Sequence, residues 1–171
     1  MKSAKQLISL LVLVSCGLCV EYAQAVAINE PAPPFTIESL QDKQPITLSQ
    51  FEGKVVYLDF WASWCGPCRQ SFPFLAELKK EYQQYGFEVL SVNLDENPQL
   101  ATHFLKQFPV NFVHLKGFNS DIAEKYKIEA MPTAFFIDAL GRVRLIHKGF
   151  NPDHRTFLRA VLEKLIAENQ E

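Results

Sequence analysis

Two residues, Gly66 and Pro67, separate Cys65 from Cys68 in Asp59-Phe-Trp-Ala-Ser-Trp-Cys-Gly-Pro-Cys68, and the other two cysteines, Cys16 and Cys19, lie close to the N-terminus. A pair at this spacing can be half of a zinc site, a structural cross-link or a redox couple. Zinc asks for about four ligands. The remaining candidates are His103, His114, His147 and His154, with no close pairing in sequence that builds a metal site. A purely structural disulfide gains little, because closing so short a loop removes little entropy from the unfolded chain. Redox chemistry is the reading these residues favour, and it needs two sulfurs and neither a metal nor an organic cofactor.

The surrounding sequence gives the two thiols different roles. Cys65 stands where an apolar strand gives way to a helix, so unpaired backbone N–H groups and the helix dipole favour a thiolate there. Cys68, one turn inside that helix, is the expected resolving thiol. Gly66 permits a close approach, and Pro67 suits a first helical turn, where its missing donor leaves nothing unpaired. Asp59 interrupts an apolar strand between Leu58 and Phe60. It is either an edge residue or a buried acid; the neighbours favour burial, which raises a carboxyl pKa and suits it to take and return the Cys68 proton. Trp61 and Trp64 flank the pair, as packing or as apolar surface that shields the disulfide and meets a protein substrate.

Positioning these groups requires a sheet and helices. Lys54 to Trp61 reads as a buried central strand, Arg69 to Tyr85 as an amphipathic helix stopped by Gly86, and Phe87 to Leu94 as a second strand. A helix over Gln99–Phe108, a short strand over Asn111–Leu115 and a short helix over Asp121–Tyr126 follow. Thr133–Asp138 and Arg142–Lys148 form a hairpin, and Pro152–Ala167 forms a last helix with Phe157, Val161, Leu162 and Leu165 on one face. Ahead of all these, Phe35–Glu38 and Pro45–Leu48 read as hairpin arms. The alternation predicts an α/β domain on a mixed sheet. The four histidines are read as surface or loop residues.

A chain of 171 residues that is 48% hydrophobic suffices for one globular core. Its net charge of −2, with scattered Lys and Arg, gives no case for a nucleic-acid partner. Lys2 and Lys5 precede the apolar Leu7–Val20, and Ala23-Gln-Ala25 offers a cleavage site, so residues 1–25 read as an export signal. Cleavage there removes Cys16 and Cys19 together and leaves no transmembrane anchor. The competing reading is a lipobox at Leu13-Val-Ser-Cys16, which would attach a lipid to Cys16 and leave Cys19 unpaired. Residues 26–34, with three prolines, form an extended lead-in, and 35–171 the domain.

The stretch Trp61, Ala62, Trp64, Cys65, Gly66, Pro67, Cys68 resembles thioredoxin itself, and the chain from about Pro31 to Leu165 can be laid on the thioredoxin-fold family. Pro73 stands where that family kinks its active-site helix. Tyr126-Lys-Ile-Glu-Ala-Met-Pro-Thr133 resembles the segment that ends in a cis-proline, which implies a cis Met131–Pro132 bond whose backbone pairs with a substrate strand. Gly149 falls where family members line the substrate groove, so the resemblance assigns Trp64, Gly66, Pro67, Met131, Pro132 and Gly149 to substrate binding. Asp59 lies where thioredoxins carry their buried acid. Ser91 replaces the lysine near that acid, and Ser71 replaces a Glu that many TlpA-like relatives have.

The Pro-Ala-Pro-Pro-Phe entry, its hairpin and a helical insertion between Pro98 and Ala123 are similar to the TlpA and ResA branch of exported thiol-disulfide oxidoreductases. What the resemblance implies is a thioredoxin fold and a periplasmic, monomeric enzyme that reduces protein disulfides, cytochrome c maturation being the first task to consider. It also implies a thiol electron donor, such as a membrane reductase. Gly-Pro between the cysteines matches the reducing end of a range that runs from about −270 mV for thioredoxin to about −120 mV for DsbA. Two rivals remain. A peroxiredoxin-like thiol peroxidase fits the Pro33-Pro34-Phe35 entry but wants a Thr where Ala62 stands, and a copper chaperone wants a longer cysteine spacing.

Overall fold

The computed structural model describes residues 26–170; the expected export signal, with Cys16, Cys19 and the lipobox, falls outside the described residues. A short hairpin opens the fold, β1 (Thr36–Glu38) against β2 (Pro45–Thr47), followed by a 3-10 turn at Leu48–Phe51. The body consists of β3 (Val55–Trp61), α1 (Gly66–Tyr82), β4 (Phe87–Asn93), α2 (Pro98–Gln107), β5 (Val113–Lys116), α3 (Ile122–Lys125), β6 (Thr133–Ile137), β7 (Val143–Lys148) and α4 (His154–Glu168). Five strands form one mixed sheet in the order β5-β4-β3-β6-β7, with β3, β4 and β5 parallel and β6 and β7 antiparallel to their neighbours. This is the thioredoxin fold that the sequence implied. The insertion adds an edge strand, β5, as well as the helix α2.

Every residue of β3 is buried, as expected of a strand covered on both faces. Alternation divides it. Val55, Tyr57 and Trp61 join a core with Phe72, Leu75 and Leu78 of α1, Phe104 of α2 and Leu158 and Leu162 of α4, whereas Val56, Leu58 and Phe60 face Ile122, Tyr126 and Phe35. Spacing of three along α1 puts Phe72, Leu75 and Leu78 on one buried face, and trimming such a leucine to alanine costs about 2–5 kcal/mol. Gly86 ends the following 3-10 turn with φ of 82°, a left-handed conformation that favours glycine.

The sheet register produces a row that matters later. His114, Ser91, Asp59, Ala134 and His147 are successive cross-strand partners on all five strands, on the face that carries α1 and α4. His114 therefore departs from the surface position expected of it: it is buried at 4% exposure because β5 turns it inward, where Ser91 gives it a hydrogen-bonding partner.

Candidate active site

The end of β3 and the start of α1 assemble the cysteine pair. Cys65 is the N-cap of α1, with Gly66 and Pro67 in the first turn, both exposed. Its sulfur accepts the N–H of Cys68 at 3.2 Å, so one of the orphan donors of the helix end is directed at this atom. The same sulfur is bonded to that of Cys68. Both cysteines are buried, Cys65 at 3% exposure and Cys68 at 0%. The difference has the expected direction, though Cys65 keeps only slight exposure. Pro73 sits inside α1 on its exposed side.

Asp59 is 1% exposed, on the face of β3 that meets the disulfide and α1. Neither of its carboxyl oxygens makes a hydrogen bond among the described residues. Burial pushes its pKa up to about 8, so the acid is largely protonated at neutral pH. Across β4, Ser91 pairs with His114 rather than with Asp59, the Ser91 hydroxyl lying 2.6 Å from His114 Nδ1.

The Met131–Pro132 peptide is cis, at the turn into β6. Phe60 is the register partner of Thr133, which brings Pro132 level with Trp61 at the edge from which the Cys65 loop departs. Thr133 Oγ1 donates to the Ala130 carbonyl at 2.7 Å and closes this turn. Gly149 follows β7 with φ of 75°, and its N–H donates to the Pro132 carbonyl at 2.7 Å. Met131 is half-buried, and its backbone N–H and C=O make no hydrogen bond among the described residues, which leaves an open edge for an added strand.

The two tryptophans separate. Trp61 is fully buried against Phe72 and Phe104 and is core. Trp64 is 69% exposed and borders a groove with Leu100, His103 and Gln107 of α2 opposite. One contributor lies outside the sequence expectations. Asp95, after β4, accepts from Ser63 N–H at 2.9 Å, from Ser63 Oγ at 3.0 Å and from Asn93 Nδ2 at 2.8 Å. Arg69 Nη2 donates to the Ser63 carbonyl at 3.1 Å. Together they pin the residues that lead into Cys65. The sequence signals were an acid shortly after an apolar strand and the resemblance of Asn93-Leu-Asp-Glu-Asn-Pro98 to the next strand end of thioredoxin, and neither assigns Asp95 a partner.

Among the described residues no group of three or more His, Cys, Asp or Glu side chains could hold a metal ion, and no helix is long and apolar enough to cross a membrane.

Residues 27–164 match the Redoxin family. The chain is 33% identical over 125 residues to thiol-disulfide oxidoreductase ResA of Oceanobacillus iheyensis, a match covering 71% of this chain but 65% of that protein, just under two thirds of its length. It is 32% identical over 151 residues to ResA of Geobacillus thermodenitrificans, covering 85% of this chain and 86% of the relative. Among solved structures, a Chlorobium tepidum protein assigned as thiol:disulfide interchange protein DsbE superposes with a TM-score of 0.79 at 38% identity, covering 83% of this chain and 99% of that one. With the family matched over most of its length and these relatives beside it, the chain belongs to the Redoxin family, as a TlpA/ResA-like protein of thioredoxin fold.

Proposed function

We propose that the protein is an exported thiol-disulfide oxidoreductase that passes two electrons from the reduced Cys65 and Cys68 thiols to disulfides of other proteins. The observation that carries this reading is the Cys65 sulfur at the N-terminus of α1, bonded to Cys68 while accepting the Cys68 N–H. The likeness to ResA proteins, named thiol-disulfide oxidoreductases, supports it.

In the forward direction the Cys65 thiolate attacks one sulfur of a substrate disulfide, forms a mixed disulfide and expels the other substrate sulfur as a thiolate. Cys68 then loses its proton to Asp59 in its ionised form, the minor fraction at neutral pH, and attacks the Cys65 sulfur. The second substrate thiolate leaves, and the Cys65–Cys68 disulfide closes. The substrate gains two electrons and takes up two protons, one of them returned by Asp59. The backbone of Met131, Pro132 and Gly149 aligns the substrate chain, while Trp64, Gly66 and Pro67 form the rim that it crosses. A dithiol donor, for instance a membrane reductase, restores the reduced pair.

Residues 1–25 act as the export signal, 26–34 as the lead-in and 35–171 as the catalytic domain, which works as a monomer in the periplasm. Haem-attachment cysteines kept reduced for cytochrome c maturation are the first substrates to test. Gly66 and Pro67 between the cysteines support the reducing direction.

The decisive measurement is the reduction potential of the Cys65–Cys68 pair beside an insulin-reduction assay. A potential near about −270 mV with insulin turnover is expected. A potential near about −120 mV would assign the pair to oxidation instead. Peroxide turnover in place of insulin reduction, or tight Cu(I) binding without either, would move the protein to the rival classes. N-terminal sequencing of protein recovered from cells should begin at Val26; a lipidated Cys16 would make the mature form a lipoprotein.

A further inference from the structure

We propose that His114 is a positioning residue for Asp59, acting through Ser91: by engaging the Ser91 hydroxyl proton at Nδ1, it withholds the one hydroxyl donor beside the buried acid. The inference deepens the role given to Asp59 under the proposed function and rests on that reading.

The register isolates the relationship. Asp59 has two cross-strand neighbours, Ala134 and Ser91. Ala134 brings only a methyl group, so Ser91 carries the single polar side chain directly beside the acid, at the usual strand spacing of ~4.8 Å. A free serine hydroxyl there would turn its proton toward a carboxylate, because a hydrogen bond to the charged form stabilises it and lowers its pKa. The hydroxyl is not free. It lies 2.6 Å from His114 Nδ1, and both Asp59 oxygens are without a hydrogen bond among the described residues.

The direction of that bond is set by the ring tautomer. His114 is buried, which holds its pKa down at about 4, so the imidazole is neutral near pH 7 and has one donor and one acceptor nitrogen. In the proposed arrangement the ring proton sits on Nε2, which leaves Nδ1, facing Ser91, as the acceptor. Nδ1 is then the acceptor, Ser91 is the donor, and the lone pairs of Ser91 Oγ are what remains for Asp59.

Other ionisable groups face this arrangement without replacing it. On β3, Tyr57 lies two residues before Asp59 on the same face, and its own pKa is raised by burial and by Asp59. From α1 come the disulfide and Lys79, which favours neutral His114 and is itself paired with Glu88 of β4. From β7, His147 shares the row two strands away and is held by His154 of α4 at 2.9 Å. None of them hydrogen-bonds Asp59. A base that must take a proton from a buried thiol works best when the two pKa values are close, and a donor on Asp59 would pull them apart.

The test follows the Asp59 side-chain carboxyl by 13C NMR across pH in the oxidised, resting protein. This readout does not depend on turnover, so its failure is distinguishable from failure of the proposed function. In His114→Phe and His114→Leu the freed Ser91 hydroxyl turns to Asp59, and the midpoint should fall by about one pH unit. Ser91→Ala has no hydroxyl to turn, so its midpoint should hold or rise, and Ser91→Ala/His114→Phe should follow Ser91→Ala. An unchanged midpoint in folded His114 variants overturns the proposal, as does a double variant that falls as far as His114→Phe alone. If both His114 variants fail to fold, Ser91→Ala decides: a held or raised midpoint supports the proposal, and a fall overturns it.

Discussion

The Cys68 N–H and the Cys65 sulfur are held 3.2 Å apart by the first turn of α1, so the helix end supplies a donor to one cysteine and not to the other. In the reduced protein this contact favours the thiolate at Cys65. Cys68, fully buried and without that help, stays protonated until a base acts on it.

The asymmetry sets opposite outcomes for the two serine variants. Cys65→Ser should abolish insulin reduction, whereas Cys68→Ser should accumulate mixed disulfides through Cys65, visible as thiol-sensitive bands on a non-reducing gel. Trapping by Cys65→Ser and not by Cys68→Ser would reverse the assignment of attacking and resolving thiols.

Asp95 carries a prediction of a different kind, because it touches neither sulfur. Its carboxyl oxygens hold the Ser63 N–H, the Ser63 hydroxyl and the Asn93 amide. Asp95→Ala leaves partly buried donors without an acceptor, at a cost of about 1–3 kcal/mol for such a group. Urea unfolding should show that loss, and insulin turnover should fall because the segment before Cys65 is no longer fixed. Unchanged stability together with unchanged turnover would show that Arg69, through the Ser63 carbonyl, holds the loop by itself.

The sequence made the elements legible wherever periodicity and punctuation agree. The apolar run that became β3, the spacing of Phe72, Leu75 and Leu78, and Gly86 after α1 each carry their structure locally. The cis Met131–Pro132 bond was accessible only through resemblance, since nothing local to Glu129-Ala-Met-Pro specifies it. What stayed hidden depends on partners distant along the chain. His114 reads as a surface or loop residue in sequence because its buried partner, Ser91, lies 23 residues earlier. Asp95 finds its use in Ser63, 32 residues away. Trp61 and Trp64 look alike in sequence, and only the end of β3 between them sends one into the core and leaves the other on the rim.

Stability should carry opposing signatures of Asp59 and His114. Between pH ~4 and 8 the folded protein keeps a proton on Asp59 that the unfolded chain has released, so this group lowers stability as pH rises, by up to about 1.4 kcal/mol per pH unit. His114 acts the other way between its folded value of about 4 and its ordinary 6.5, where only the unfolded chain binds the proton and stability rises with pH. For these two groups the slopes offset up to about pH 6.5, and a net fall follows from there to about pH 8. Asp59→Asn should therefore remove the fall above pH 6.5 and expose a rise below it. Urea midpoints from pH 4 to 8 measure this, and parallel curves for the two oxidised proteins would show that Asp59 ionises in the fold near its ordinary value.

The last expectation concerns catalysis by the same acid. Cys68 must lose a proton before it can attack the mixed disulfide; a free thiol does so near pH 8.5, and burial raises that value. Asp59 is buried on the sheet face below the pair with a pKa of about 8, close enough to the thiol for transfer in either direction. The amide of Asp59→Asn has the same shape but cannot accept the proton. Resolution of the mixed disulfide should slow by about 10²–10⁴-fold near neutral pH, the usual range for loss of general acid–base catalysis. The gap should narrow above about pH 9, where hydroxide can deprotonate Cys68 without help. Stopped-flow resolution rates from pH 6 to 10 decide the matter, because superimposable profiles would make Asp59 a structural residue and pass the proton transfer to solvent.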